Sequence, residues 1–167
     1  MAGGPAADKS IVVYTVGHSN LPVDAFLDIL RRHAITLVVD IRSEPYSRYA
    51  PHFNKREMEG AVVHAGLRYR YAGATLGGKP RDPGLLGPHG VPDYDRIAAT
   101  PAFQQALADL CDLAASERVV VVCSEADPTQ CHRDKLVARE LRTRGVDVRH
   151  ILSDGSLAGP PAQGTLL

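Results

Sequence analysis

Residues 118–123 read RVVVVC, and four successive valines leave little choice of fold. A strand that is apolar on both faces must be covered on both, which points to an inner strand of a parallel sheet. The next segment is opposite in character. The run CSEADPTQCHRDK carries two thiols, Glu125, His132 and Arg133. Asp127-Pro128 marks a turn, and Cys131-His132-Arg133 opens a stretch with helical spacing. A buried strand feeding a loop and a helix start gathers backbone N–H groups and the positive end of a helix dipole at one point.

The rest of the chain alternates in the same way. IVVYTV (11–16) and ITLVVDI (35–41) read as buried strands, LRYRYA (67–72) alternates with period two, and VDVRHI (146–151) is the last strand. Between them, Pro22 precedes the stripe Val23, Phe26, Leu27 and Leu30, and Asn54 with Glu57 predicts a capping box on a helix closed by Gly66. Thr100-Pro101 starts another helix, with Phe103, Leu107, Leu110 and Ala114 on one face. A last one runs from about Asp134 to Arg144 and stops at Gly145. This alternation predicts an α/β fold: a single three-layer domain with a mainly parallel five-stranded sheet and helices on both faces. The domain spans residues 11–152, with a disordered start (1–10) and a loose tail (153–167). Residues 73–95 are rich in glycine and proline, which predicts a functional lid or disorder.

Lys and Arg together equal Asp and Glu at 19 each, so no global field draws the chain to nucleic acid or anionic lipid. No apolar run approaches the roughly 20 residues of a membrane span. MAGGPAADKS lacks the basic and apolar regions of a secretory signal, and three cysteines is an odd number. Both suit reduced thiols in the cytoplasm. The chain has no GxGxxG and no GxxxxGK[ST], and it names no cofactor and no oligomeric state.

Ligands of parallel sheets bind beyond the carboxyl ends of the strands. Gly17-His18-Ser19, Asp40-Ile41-Arg42 and Cys123–Arg133 each come just after a strand, so all three are expected at one edge. Cys131 reads either as an inert packed thiol or as one activated by the helix start and Arg133. Cys123 is a second candidate nucleophile, although nine residues separate it from Arg133, a wider gap than in the tight anion-cradling loops of rhodanese and cysteine phosphatases. Cys111 falls in a helix and reads as core. Arg42, Arg48 and Arg133 form either a cationic cup or solvated pairs with nearby carboxylates. His18 and Glu125 are the candidates for proton transfer. Cys131, His132 and His18 are the alternative metal set, though no CxxC is present.

Four motifs in order carry a resemblance to a known family: TVGHSN, VVDIRSEPYSRYAPHFN, LRYRYAGATLGG and CSEADPTQCHRDKLVARELRTRGVDVRHI. Over residues 11–152 the chain resembles domain-of-unknown-function family 488. The resemblance implies a compact α/β domain whose signature positions are His18, Ser19, Asp40, Arg42, Pro45, Ser47, Arg48, Gly77, Gly78, Cys123, Glu125, Cys131, His132 and Arg133. It implies no reaction.

The expected function is therefore a small cytoplasmic enzyme acting on a phosphate- or carboxylate-bearing small molecule, a nucleotide among the candidates. Arg42, Arg48 and Arg133, with Ser19, Gly77 and Gly78, would hold the anion. Cys131 or Cys123 would attack, and His18 or Glu125 would move the proton. Two alternatives stand beside it. One is a nucleotide or nucleic-acid-end binding module that stacks bases on Tyr46, Tyr49 and Phe53. The other is a metal-dependent enzyme with Cys and His ligands.

Overall fold

A computed structural model of the chain describes residues 11–159. The expected disorder of 1–10 and the end of the expected tail lie outside them. Five strands, β1 (Val12–Gly17), β2 (Leu37–Asp40), β3 (Arg68–Tyr71), β4 (Val119–Cys123) and β5 (Asp147–Ile151), form one sheet in the order β3-β2-β4-β1-β5. Every pairing is parallel. The valine run takes the central place that its composition demands, and Val119 through Val122 are wholly buried. β3, which alternates in sequence, lies at an edge and alternates between exposed and half-buried residues.

Strand period sorts the side chains onto two faces. Tyr14, Val16, Val38, Val120 and Val122 pack with Phe26, Leu30, Phe53, Met58 and Val62 on one face. That layer is α1 (Val23–Arg32) and α2 (Lys55–His64). Val13, Val39, Val121 and Cys123 pack with Phe103, Leu107, Leu136 and Leu141 on the other. Two short helices, α3 (Gly73–Leu76) and α4 (Tyr94–Ala98), precede α5 (Pro101–Ser116) on that side. After β4 a π-wound turn, Arg133–Ala138, runs directly into α6 (Arg139–Thr143). Each fully buried Val, Leu or Phe contributes about 1.5–3 kcal/mol, so the two layers together hold the sheet between them.

The helix ends are mostly as read. Thr100 Oγ1 accepts the Phe103 amide and caps α5, and Gly66 and Gly145 take φ of +88° and +81° just past α2 and α6. The capping box at Asn54 does not form. Its carboxamide oxygen instead accepts the Ser47 amide at 2.8 Å, which ties down the arginine-rich loop. Nor are residues 153–159 loose. Leu157 bridges back to Ile151, and the Ala158 amide donates to the His150 carbonyl. Residues 73–95 are ordered into short helices and turns, with Leu86 bridged to Pro92. Among the described residues, no helix is long and apolar enough to cross a membrane.

Candidate active site

The register brings the three polar clusters to one edge, with Gly17 opposite Cys123 and Asp40 opposite Val122. Backbone bonds carry the pairing beyond the strands: His18 N–H donates to Cys123 O, Ser19 N–H to Ser124 O, and Ile41 N–H to Val122 O. Gly17 permits the close approach, since a Cβ there would lie 1.6 Å from the Glu125 carbonyl oxygen. The same period of two that aligns the clusters also separates them. Asp40, His18 and Arg42 fall on the α1–α2 side, while Cys123 and the residues after it fall on the other.

On the first side every polar atom is spoken for. Arg42 Nε and Nη2 donate to the two oxygens of Asp40 at 2.8 Å each, and Nη1 donates to the Phe53 carbonyl at 2.7 Å and to His18 Nε2 at 3.1 Å. Nη2 also meets the Met58 sulfur at 3.6 Å. His18 Nδ1 lies 2.7 Å from Ser19 O, so it carries the proton and Nε2 accepts from Arg42. Burial lowers the His18 pKa from 6.5 to about 4, against a smaller opposing effect of the bond to Ser19. The Tyr69 hydroxyl completes the cluster on Asp40 at 2.6 Å, and burial together with that carboxylate pushes its pKa well up. Neutral and with both ring nitrogens engaged in this cluster, His18 does not line the cleft on the other side, contrary to the expected placement. The expectation for His18 is corrected on that ground, and Arg42 is held by the structural pairing with Asp40.

The second side is open and less complete. Cys123 Sγ and Cys131 Sγ lie 2.9 Å apart. Cys131 lies two residues before the π-wound turn: its carbonyl accepts the Asp134 and Lys135 amides, and its sulfur accepts the Arg133 amide at 3.2 Å. His132 Nε2 lies 3.0 Å from the Ile41 carbonyl and donates to it, leaving Nδ1 as a lone pair 3.9 Å from Cys131 Sγ. The proton shared with Cys123 and the Arg133 amide hold the Cys131 thiol well below its ordinary range, against the opposing effect of burial. The same proton and burial hold Cys123 well above it. The two sulfurs therefore titrate as a coupled pair, with the Cys131 side drawn down and the Cys123 side pushed up. Gly78 lies against the imidazole, where a Cβ would come within 2.6 Å of His132 Cβ.

Arg133 lies beneath this pair and is fully buried. It donates to Thr15 Oγ1 at 3.1 Å and to the Glu125 and Ala126 carbonyls at 2.8 and 2.9 Å, all uncharged acceptors. Among the described residues no carboxylate pairs with it, and its Nε has no partner. Thr15 in turn hydrogen-bonds His150, and His150 bonds Asp134 at 3.0 Å, a chain that fixes the guanidinium from behind. Its charge acts on Cys123, drawing that thiol down against the larger opposing effects of Cys131 and burial, and its amide donates to the Cys131 sulfur.

A cleft of about 240 Å³ opens above the sulfurs, lined by Arg42, Cys123, Glu125, Cys131, His132 and Gly78 among the expected residues. His18, Ser19, Gly77, Arg48 and Arg133 do not line it. Arg48 is exposed, Arg133 is buried below, and Gly77 is a contact point where a Cβ would meet Ser43 Oγ. The expected cationic cup is not assembled there: Arg48 and Arg133 do not line the cleft, and Arg42, which does, gives its side-chain donors to Asp40, Phe53, His18 and Met58. The alternative metal set is not assembled, and among the described residues no group of three His, Cys, Asp or Glu has a metal-holding arrangement. Phe53 is 2% exposed and so closed to base stacking.

Sequence reasoning missed Lys79 and Tyr94, which line the cleft from the glycine- and proline-rich segment, along with His132 as the partner of Cys131 rather than a ligand. The signal for the first two was the unusual length of that segment. Burial and the nearby Cys131 charge raise the Tyr94 pKa, so its hydroxyl stays protonated.

No curated protein and no solved structure matches the chain. Residues 22–139, from the start of α1 through the cysteine loop and the turn after it, match the family described as "Domain of unknown function DUF488". With most of its folded part inside that match, the chain belongs to this family.

Proposed function

We propose that the chain is a cysteine-dependent transferase or hydrolase acting on a small anionic molecule in the cleft above Cys131. One observation carries the reading. Cys131 Sγ meets an imidazole nitrogen left unprotonated by the Ile41 carbonyl, beside a buried guanidinium that no carboxylate among the described residues neutralises. A nucleophile, a base and a group orienting that base recur wherever thiols perform covalent catalysis.

In this reading the Cys131 thiolate attacks an electrophilic acyl or phosphoryl centre. The leaving group departs with the Tyr94 hydroxyl proton, and the water or second acceptor that then releases the group from sulfur returns a proton to Tyr94. The substrate's negative charge meets Lys79. Its ammonium sits 3.5 Å from Glu44 with both side chains more than 70% exposed, a pairing of about 0–1 kcal/mol that a ligand displaces easily.

Alkylation of the reduced protein across a pH series, mapped by mass spectrometry, tests the reading. Cys131 is expected to react at neutral and mildly acidic pH well ahead of Cys111, whose thiol burial pushes up. An equal or slower rate at Cys131 overturns it. An anionic thioester probe should then leave its acyl group on Cys131, and Lys79→Ala should slow that transfer more for the anionic probe than for a neutral one.

A further inference from the structure

Two thiols in contact at the floor of an accessible cleft have a use beyond a single nucleophile. We infer that Cys123 is the resolving partner of Cys131, so that a hydroperoxide converts the pair to an intramolecular disulfide which an external dithiol returns to the reduced form. The inference rests on Cys131 being the reactive sulfur of the proposed site.

The geometry supplies the first argument. The sulfurs stand 2.9 Å apart, and a disulfide bond measures about 2.05 Å, so closure asks for less than about 1 Å of movement. The seven residues between them (124–130) are pinned in place. Asp127 accepts the Thr129 amide, and Arg133 grips the Glu125 and Ala126 carbonyls. The loop therefore holds both sulfurs in register whichever state they are in.

The two positions also divide the labour. Both sulfurs line the cleft, but Cys131 is the more exposed, at 8% beside an imidazole, while Cys123 ends a central strand at 2%, so an incoming oxidant meets Cys131 first. Cys111 lies in α5, away from both. Oxidation proceeds in two balanced steps. The Cys131 sulfur attacks the terminal oxygen of the hydroperoxide, an S–O bond forms as O–O breaks, and the alcohol leaves with a proton. Cysteine is oxidised by two electrons to the sulfenic acid and the peroxide is reduced by two. The Cys123 sulfur, losing its proton, then attacks the Cys131 sulfur. S–S forms, S–O breaks, and the hydroxyl leaves with that proton as water. A dithiol returns two electrons and two protons by exchange through a mixed disulfide.

Charge makes the cycle reversible. With Cys131 deprotonated the reduced pair carries a negative charge beside Arg133, whose amide lies 3.2 Å from the Cys131 sulfur, and the disulfide carries none. Oxidation leaves a buried guanidinium with only neutral acceptors, a condition that favours the reduced protein. A disulfide whose reduced form is so stabilised is an oxidising, readily reduced one.

The test uses the full chain, reduced and then treated with one equivalent of hydrogen peroxide. Expected are an intact mass lower by two hydrogens, a cross-linked peptide joining Cys123 to Cys131, one alkylatable thiol where three are free before treatment, and full recovery with dithiothreitol. In Cys123→Ser, Cys131 should stop at the sulfenic acid and be trapped by a cyclic dione. Over-oxidation of Cys131 with Cys123 still alkylatable after denaturation overturns the inference, as does a pair left unoxidised by excess peroxide. Because the wild-type protein reports the cross-link, the result does not depend on a variant folding. Prompt alkylation of Cys131 without any cross-link sinks the resolving role alone, while absent alkylation sinks the enzyme reading.

Discussion

The two polar clusters at the carboxyl edge contain the same kinds of residue and behave as opposites. Around Arg42, a bidentate carboxylate, a carbonyl, a neutral histidine and a thioether use all five guanidinium donors, and the charge is cancelled within the cluster. Around Arg133, a hydroxyl and two carbonyls serve as acceptors, Nε has no partner among the described residues, and the backbone amide donates to a cysteine sulfur that lines a cleft. The first arrangement is complete and closed, so it does the work of a structural brace. The second is incomplete among the described residues and lies beside two sulfurs that line a cleft. An arginine at a sheet edge thus says little by itself. What counts is whether a counter-charge is locked in beside it.

The sharpest way to break the contrast is Arg42→Ala. Removing one partner of a buried pair strands the Asp40 carboxylate and should lower stability by about 3–5 kcal/mol in urea unfolding, with Cys131 alkylation in the folded fraction unchanged. An Arg42→Ala protein that melts like wild type yet loses affinity for anionic ligands would move Arg42 into the site.

Acid attacks the same cluster. The folded His18 value is lowered to about 4 from 6.5, so between those values the unfolded chain holds a proton that the folded chain does not. Stability from this group is fully present above about 6.5 and is lost as pH falls through 4, about 3 kcal/mol in all. Urea midpoints from pH 7 to 4 should show the fall, and His18→Gln should flatten it. The cysteine pair is distinct: its Cys131 contribution declines across the whole range from the ordinary thiol value downward, while the raised Cys123 value makes stability decline again above that value.

Gly78→Ala probes the open cluster without touching a charge. The added Cβ would lie 2.6–2.8 Å from the Cβ and Cγ of His132 and push the imidazole away from Cys131. A loss of about 1–3 kcal/mol in stability is expected from the overpacking. Alkylation of Cys131 at pH 6 should slow about tenfold, equal to about 1.4 kcal/mol. An unchanged rate would remove His132 from the activation of the thiol.

The smallest effect belongs to Arg48→Ala. Arg48 is exposed and away from the cleft, so stability should shift by less than about 0.5 kcal/mol and neither alkylation nor oxidation of Cys131 should respond. A clear loss of ligand binding in that variant would restore Arg48 to the site and weaken the contrast between the two edge clusters.

Much of this is legible in the residues alone. The valine run, the strand–helix alternation and the caps at Thr100, Gly66 and Gly145 announce a parallel sheet covered on both faces, because apolar periodicity and turn chemistry are local properties. The placement of three polar clusters at one edge comes from the rule that parallel strands all end there. Asn54 misleads because a capping signature is indifferent to a better acceptor site: the Ser47 amide, brought close by the loop, takes its side chain.

What the sequence determined by itself was the fold, the edge and the cysteine loop. Only the tertiary structure decided which arginine is braced and which is left beside the cysteine pair, that His132 serves Cys131 while His18 serves Arg42, and that Lys79 and Tyr94 join the cleft. The reason is physical. Which face a side chain takes is set by strand parity, but which donor meets which acceptor across that face depends on residues far apart in the chain. Arg133 reaches back to Thr15, His132 to Ile41 and Arg42 to His18, and no local pattern records such pairings.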